Sequence, residues 1–294
     1  MTILNQPTRV YLNLIVRTDK MIKGFAHTPQ GQIFYQTEGL GEPLLLLHAS
    51  PMDSDEYLEV MPMWGKHYRV IAIDTPGFGR SDEIPHEYVL KDYALAVIEF
   101  LKEMEIEKAS IVGHLTGSLI ALEVAVRHPR LVDKLVLVSC PYYDQKERET
   151  RTKELNNFIC ARYEIRPDGS HIMEKWERRR RESPGVSPKN WHKAVIMDLL
   201  AGTRANMPKV LLSYDMERRM PLIKNPTLLI YGTSDRFYRR METVQSLIPH
   251  SQTKVVEGAN DFILMENSKK PAEAILEFLK QDEVMDEVMV LPSA

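Results

Sequence analysis

The stretch Gly113-His114-Leu115-Thr116-Gly117 is the first place to look for chemistry. It has the form Gly-x-Ser-x-Gly of a sharp strand-to-helix turn, with leucine where the serine belongs. Glycines flank such a turn because it has no room for Cβ atoms there. A leucine at the tip neither attacks nor moves a proton. Two hydroxyls flank it. Thr116 is expected to turn its side chain aside, and Ser118 is expected to bond the backbone at a helix start. Cys140 ends an apolar run and reads as a structural thiol. The sequence holds no metal-ligand spacing, phosphate loop or dinucleotide fingerprint, so no metal and no cofactor are expected.

The elements that must position this turn are legible from periodicity. Gln32–Thr37, Pro43–His48, Tyr68–Asp74, Ala109–Val112, Lys134–Ser139, Pro226–Tyr231 and Thr253–Val256 read as strands. Several are continuous apolar runs, as expected of strands buried on both faces. Tyr88–Glu105 carries Leu90, Tyr93, Val97 and Leu101 on one helical stripe; Leu119–His128 and Pro271–Lys280 are also helical. Strands alternating with helices imply a mostly parallel sheet with helices on both faces. Residues 141–220 break the rhythm with prolines, tryptophans and dense charge, and read as a helical insertion.

The chain has 294 residues, 44% of them hydrophobic, and a net charge of −3, so nothing points to a nucleic-acid partner. Two cysteines suit a reducing cytoplasm. No apolar run approaches the roughly 18 residues of a membrane span, and Met1 to Lys23 lacks the pattern of a signal peptide. Tyr11 to Val16 alternates as an extra strand or an arm that packs on a partner. A homo-oligomer through this arm is the expected macromolecular partnership.

The motifs now carry a resemblance. His48-Ala49-Ser50-Pro51 is similar to the His-Gly-x-Pro oxyanion loop of the α/β-hydrolase-fold superfamily. Asp74 to Asp82 is similar to its D-x-P-G-x-G-x-S-D turn, and Gly113 to Gly117 to its nucleophile elbow. Gly232-Thr233-Ser234-Asp235 resembles the turn bearing its acid. Gly258-Ala259-Asn260-Asp261-Phe262 resembles the loop that normally reads G-x-G-H-F. The resemblance implies an α/β-hydrolase fold with a helical cap. Residues 1–22 form an N-terminal extension, 23–140 and 221–281 the core, 141–220 the cap, and 282–294 a tail.

Carried over position by position, the triad of serine, histidine and acid becomes Leu115, Asp261 and Asp235. The resemblance places the acid and base loops side by side, so Asp235 and Asp261 are candidates for a proton-sharing carboxylate pair. The backbone N–H groups of Ser50 and Thr116 are the candidate oxyanion hole. His48, Tyr142, Tyr143 and His171 are candidates for the substrate pocket, with His192 a second histidine of the cap. The charge run Glu174–Glu182 reads as a solvated face with internal ion pairs, or else as a guide for anionic substrates. The expected partner is a small-molecule ligand or substrate. Three functions follow: lyase, isomerase or cyclase chemistry on a small organic molecule without a triad; hydrolysis by a relocated catalytic group; or ligand binding without catalysis.

Overall fold

The computed structural model describes residues 21–84, 87–162, 165–182, 185–201, 207–266 and 268–281. The expected arm, Tyr11 to Val16, and the tail 282–294 lie outside them.

The strands are β1 (Ile22–Thr28), β2 (Gly31–Glu38), β3 (Pro43–Leu47), β4 (Arg69–Ile73), β5 (Ala109–His114), β6 (Val132–Val138), β7 (Thr227–Gly232) and β8 (Gln252–Val256). They form one eight-stranded sheet in the order β1-β2-β4-β3-β5-β6-β7-β8. The pairings β1–β2 and β2–β4 are antiparallel and the others parallel. The central strands have no polar face because both of their faces are covered. Leu45 and Leu47 of β3 join the core on one side, and Leu44 and Leu46 the core on the other.

On the first side lie α2 (Leu90–Glu103) and α3 (Thr116–Arg127). Tyr93, Val97, Phe100 and Leu101 of α2 are all fully buried there. On the second side lie α1 (Met61–Trp64) and α10 (Lys269–Leu279), fastened by Trp64 Nε1 donating to the Ala272 carbonyl at 3.0 Å. Each fully buried leucine or phenylalanine of these layers contributes on the order of 2 kcal/mol relative to exposure. The fold is α/β, a mostly parallel sheet covered by helices.

Between β6 and β7 come α4 (Gln145–Arg162), α5 (Ser170–Glu182), α6 (Pro188–Ala201), α7 (Met207–Ser213) and α8 (Met216–Arg219), with no strand among the described residues of this stretch. α9 (Met241–Leu247) follows β7. The stretch is tied to the core by polar contacts near its middle and at its C-terminal end. Arg219 donates to both carboxylate oxygens of buried Glu123 on α3 at 2.9 Å, and the Tyr214 hydroxyl donates to the same group at 2.7 Å. Ser187 N and Asn190 Nδ2 each donate to Glu266 Oε1 at 2.8 Å. Trp191 meets Phe262 edge to face at 5.5 Å.

The sequence reading missed β1. Its side chains are largely exposed and it stands at the sheet edge, so it carries no apolar run to reveal it. α3 begins at Thr116, directly after the tip of the elbow, three residues earlier than expected.

Candidate functional site

The parallel strands end at one edge, and the loops that leave them there form the site, as in open α/β sheets generally. At the end of β5, Leu115 sits at φ 47° and ψ −111°, a left-handed backbone that an L-residue other than glycine rarely adopts. The neighbours enforce it. A Cβ on Gly113 would lie 2.3 Å from the Gly117 carbonyl oxygen, and one on Gly117 would lie 2.0 Å from that of Leu47. The Leu115 N–H donates to the Val138 carbonyl at 2.9 Å. The elbow is thus built with a buried leucine at its tip.

The loop after β3 forms the next wall. The Ser50 N–H donates to Thr116 Oγ1 at 2.7 Å, which corrects two expectations. The Thr116 side chain does not turn aside, and the Ser50 amide is already engaged. Its partner hydroxyl keeps a hydrogen of its own to donate. Ser118 donates to the Leu115 carbonyl, a backbone role. His48 is buried with both ring nitrogens committed. Nδ1 donates to the Ala49 carbonyl at 2.9 Å, and Nε2 accepts from Thr75 N at 3.0 Å. It braces the loop and has no ring nitrogen left for a ligand.

Beneath the elbow lies a pair that sequence reasoning did not find. The 3₁₀ turn Ser54–Tyr57 delivers Glu56 to His114, and Glu56 Oε1 meets His114 Nδ1 in a short ion pair. Glu56 Oε2 accepts from Ala49 N at 2.7 Å. Burial pushes the Glu56 carboxyl up, but the charge and hydrogen bond of His114 hold it below its ordinary range. Burial pushes His114 down, yet Glu56, with smaller help from Asp235 and Asp261, raises it. Nothing local announces this contact between residues 56 and 114.

The opposite wall is the turn after β7 and the loop after β8. They are pressed together: a Cβ on Gly232 would lie 2.1 Å from the Ala259 carbonyl oxygen, and Ser234 N donates to that oxygen at 2.9 Å. Asp235 is 6% exposed. Its Oδ1 accepts from Phe237 N at 2.7 Å, while Oδ2 has no hydrogen-bond partner among the described residues. Burial raises its pKa; Ser139, the Phe237 amide and His114 lower it, Asp261 raises it, and the net shift is upward. Asp261, on the loop after β8, is 1% exposed, and its Oδ2 meets Arg236 Nη2 at 2.8 Å. The arginine that follows Asp235 in sequence thus engages Asp261.

Tyr142 and Tyr143 follow β6 and line a cleft of about 650 Å³ together with Phe237. Tyr142 donates to Glu217 Oε1 at 3.2 Å, and Tyr143 packs edge to face on Phe237 at 5.6 Å. His171 does not descend into this cleft. It sits at the start of α5, where Nδ1 accepts from Arg166 N at 3.3 Å. His192 is exposed on α6. In the charge run, Arg178 and Arg179 turn inward to Asp198, so part of that run is internal structure. Burial pushes the Cys140 thiol up to about 12, as befits a structural residue. Among the described residues no three metal-ligating side chains cluster, and no helix is long and apolar enough to cross a membrane.

The comparisons agree with this architecture. A sequence model of the alpha/beta hydrolase fold matches residues 42–158. An (E)-2-((N-methylformamido)methylene)succinate hydrolase of Acinetobacter baylyi is 32% identical over 108 residues, 37% of this chain and 41% of that protein. A putative carbamate hydrolase, RutD, of Agrobacterium fabrum is 26% identical over 71% of this chain and 82% of its own length. The chain spans between 37% and 41% of the length of the curated relatives it matches first. Among solved structures, an E-2-(acetamidomethylene)succinate hydrolase superposes with a TM-score of 0.74 at 19% identity, over 89% of this chain and all of that one (100%). A hydrolase from Pseudomonas aeruginosa does so at 0.73 and 20%, over 87% and 98%. With the elbow turn and the sheet order in place, the chain has the α/β-hydrolase fold.

Proposed function

We propose that this chain hydrolyses a small organic molecule by general acid–base catalysis, without a covalent intermediate on the elbow. The observation that carries the proposal is Asp235. It is a buried carboxyl with a raised pKa, one oxygen without a hydrogen-bond partner among the described residues, and a second carboxylate, Asp261, near enough to push it further. A carboxyl that burial keeps from ionising easily holds a proton for transfer, and once ionised it can activate water. The Thr116 N–H and hydroxyl are the groups assigned to polarise the substrate carbonyl. Leu115 supplies an apolar floor. The relatives named as hydrolases favour hydrolysis over the lyase, isomerase or cyclase chemistry that the same groups would support. A cytoplasmic location, a homo-oligomer through residues 1–22 and a cap spanning 141–220 belong to this proposal.

The test is a panel of small amides, carbamates and enol esters turned over in ¹⁸O-labelled water, with serine-directed fluorophosphonate probing in parallel. Label in the product with no adduct on the protein is the expected result. A stoichiometric adduct, or product without label, overturns it. Ligand binding without catalysis is the second reading. It is favoured by the Arg236–Asp261 ion pair and by the engaged Ser50 amide, both of which occupy groups a catalyst would use. Binding of a substrate with no turnover of it would establish that reading.

A further inference from the structure

The cleft beside the acid turn has an unusual charge. Four arginines converge on it from two separate elements: Arg151 from α4, and Arg236, Arg239 and Arg240 from the turn after β7. Like charges drawn together in a concavity repel, so such a cluster calls for compensating anions. The protein supplies only part of them. Arg240 pairs with Glu147, which also lines the cleft, and Arg236 pairs with Asp261. Arg151 rests over the ring of Tyr143, 4.9 Å from its centroid. Neither Arg151 nor Arg239 makes an ion pair with a carboxylate among the described residues. Two of the four guanidinium charges are therefore left for something else.

The other walls say what kind of molecule fits. Buried Tyr142 and Phe237, with half-buried Tyr143, give the cleft an apolar side. A volume of about 650 Å³ suits a small molecule. Guanidinium forks match the two oxygens of a carboxylate or phosphate in a bidentate way that an ammonium does not. The position is also informative. Arg236 and Phe237 are the two residues after Asp235. The Phe237 amide holds one oxygen of that carboxyl, and Arg236 reaches Asp261. An anion seated on the arginines lies beside the carboxylates.

We infer that this cleft binds a small organic dianion, its carboxylate or phosphate groups held by Arg151 and Arg239 and its apolar body lying against Tyr143 and Phe237. As the substrate class of the site, this rests on the proposed hydrolytic reading; as a binding site, it stands without it. The test is calorimetric titration of the intact chain at constant ionic strength with succinate, inorganic phosphate and uncharged succinamide. The variants are R151Q/R239Q in the cleft and K102Q/K269Q, two exposed lysines elsewhere that give the same loss of charge. The expected result is that an anion binds at least about tenfold more tightly than succinamide, and that R151Q/R239Q loses at least about tenfold while K102Q/K269Q does not. Stronger binding of succinate assigns a carboxylate, and stronger binding of phosphate a phosphate group. Equal weakening in both variants, or no preference of the wild type for either anion over succinamide, overturns the inference. The preference of the wild type decides the matter even if the cleft variant folds poorly. Anion binding without label-incorporating turnover would sink hydrolysis and keep the cleft; turnover restricted to uncharged substrates, without anion binding, would do the reverse.

Discussion

The two walls of the site are built to different standards of completeness. On the side of the loops after β3 and β4, the carboxylates are answered. Asp74 accepts from Ser54 N at 2.7 Å and from Arg80 N and Nε at 2.8 and 2.9 Å. Glu56 has His114 and an amide, and His48 is bonded through both nitrogens, although His114 Nε2 has no hydrogen-bond partner among the described residues. On the side of the turns after β7 and β8, among the described residues, buried Asp235 keeps an oxygen without a hydrogen-bond partner, and two exposed arginines of the cleft make no ion pair with a carboxylate. A buried polar group without a partner is costly. The wall whose carboxylates are answered therefore reads as scaffold, and the wall whose carboxyl is not answered as the place where a ligand finishes the structure.

Breaking the first wall should have the largest effect on folding. Glu56→Gln removes one partner of a buried ion pair, and stability should fall by about 3–5 kcal/mol, read by chemical denaturation. The pH dependence sharpens this. A lowered Glu56 pKa means stability present above the ordinary value of 4.5 and lost as pH falls through the folded value. A raised His114 pKa means stability fully present below 6.5 and lost as pH rises through the folded value. The wild-type advantage over Glu56→Gln should therefore peak between 4.5 and 6.5.

Asp235→Asn tests the other wall, and its outcome should be opposite in kind. Under the hydrolytic proposal turnover should drop by roughly 10²–10⁴. Stability at neutral pH should hold or rise. The raised folded pKa means that the native state loses stability as pH climbs from the ordinary 3.8 to the folded value, and an asparagine escapes that penalty. A large loss of stability on thermal melting at pH 7 would erase the contrast between the walls.

Smaller again is the change expected from Leu115→Ser alone. Activity on nitrophenyl esters should stay near background, because Asp261 is engaged by Arg236 and a carboxylate so held is a poor base for a serine. Leu115→Ser with Asp261→His should exceed it. Equal rates would mean that another group already acts as base. The smallest effect is reserved for Lys193→Met. Its bridge to Asp53 is long, 3.7 Å, and partly exposed, so under about 1 kcal/mol should be lost on denaturation.

The scaffold was largely readable because its signals are local. β3 to β7 are short apolar runs with turn motifs at their ends, and the glycines of the elbow stand four residues apart. The charge chemistry was not readable, because it is assembled across the chain. Glu56 and His114 meet only when β3 and β5 pair in parallel. Arg151 and Arg239 share a cleft although they are far apart in sequence, while the conspicuous run at 178–181 sends two arginines inward to Asp198. Thr116 was misread for a subtler reason: a motif fixes where a backbone goes, whereas its hydroxyl followed the nearest amide, that of Ser50.

The left-handed backbone at Leu115 has one more consequence. Such a conformation costs an L-residue about 1–2 kcal/mol, and leucine has no side-chain polar group to offset it. What holds the turn is outside the residue: Gly113 against Gly117, Gly117 against Leu47, and the amide on Val138. Position 115 therefore behaves as a fixed mount. The direction in which its side chain leaves the backbone is set by the surroundings, so serine, aspartate, cysteine and leucine would be presented alike. In a fold with such a mount, the group presented at the tip can be exchanged by one codon while the architecture stays as it is.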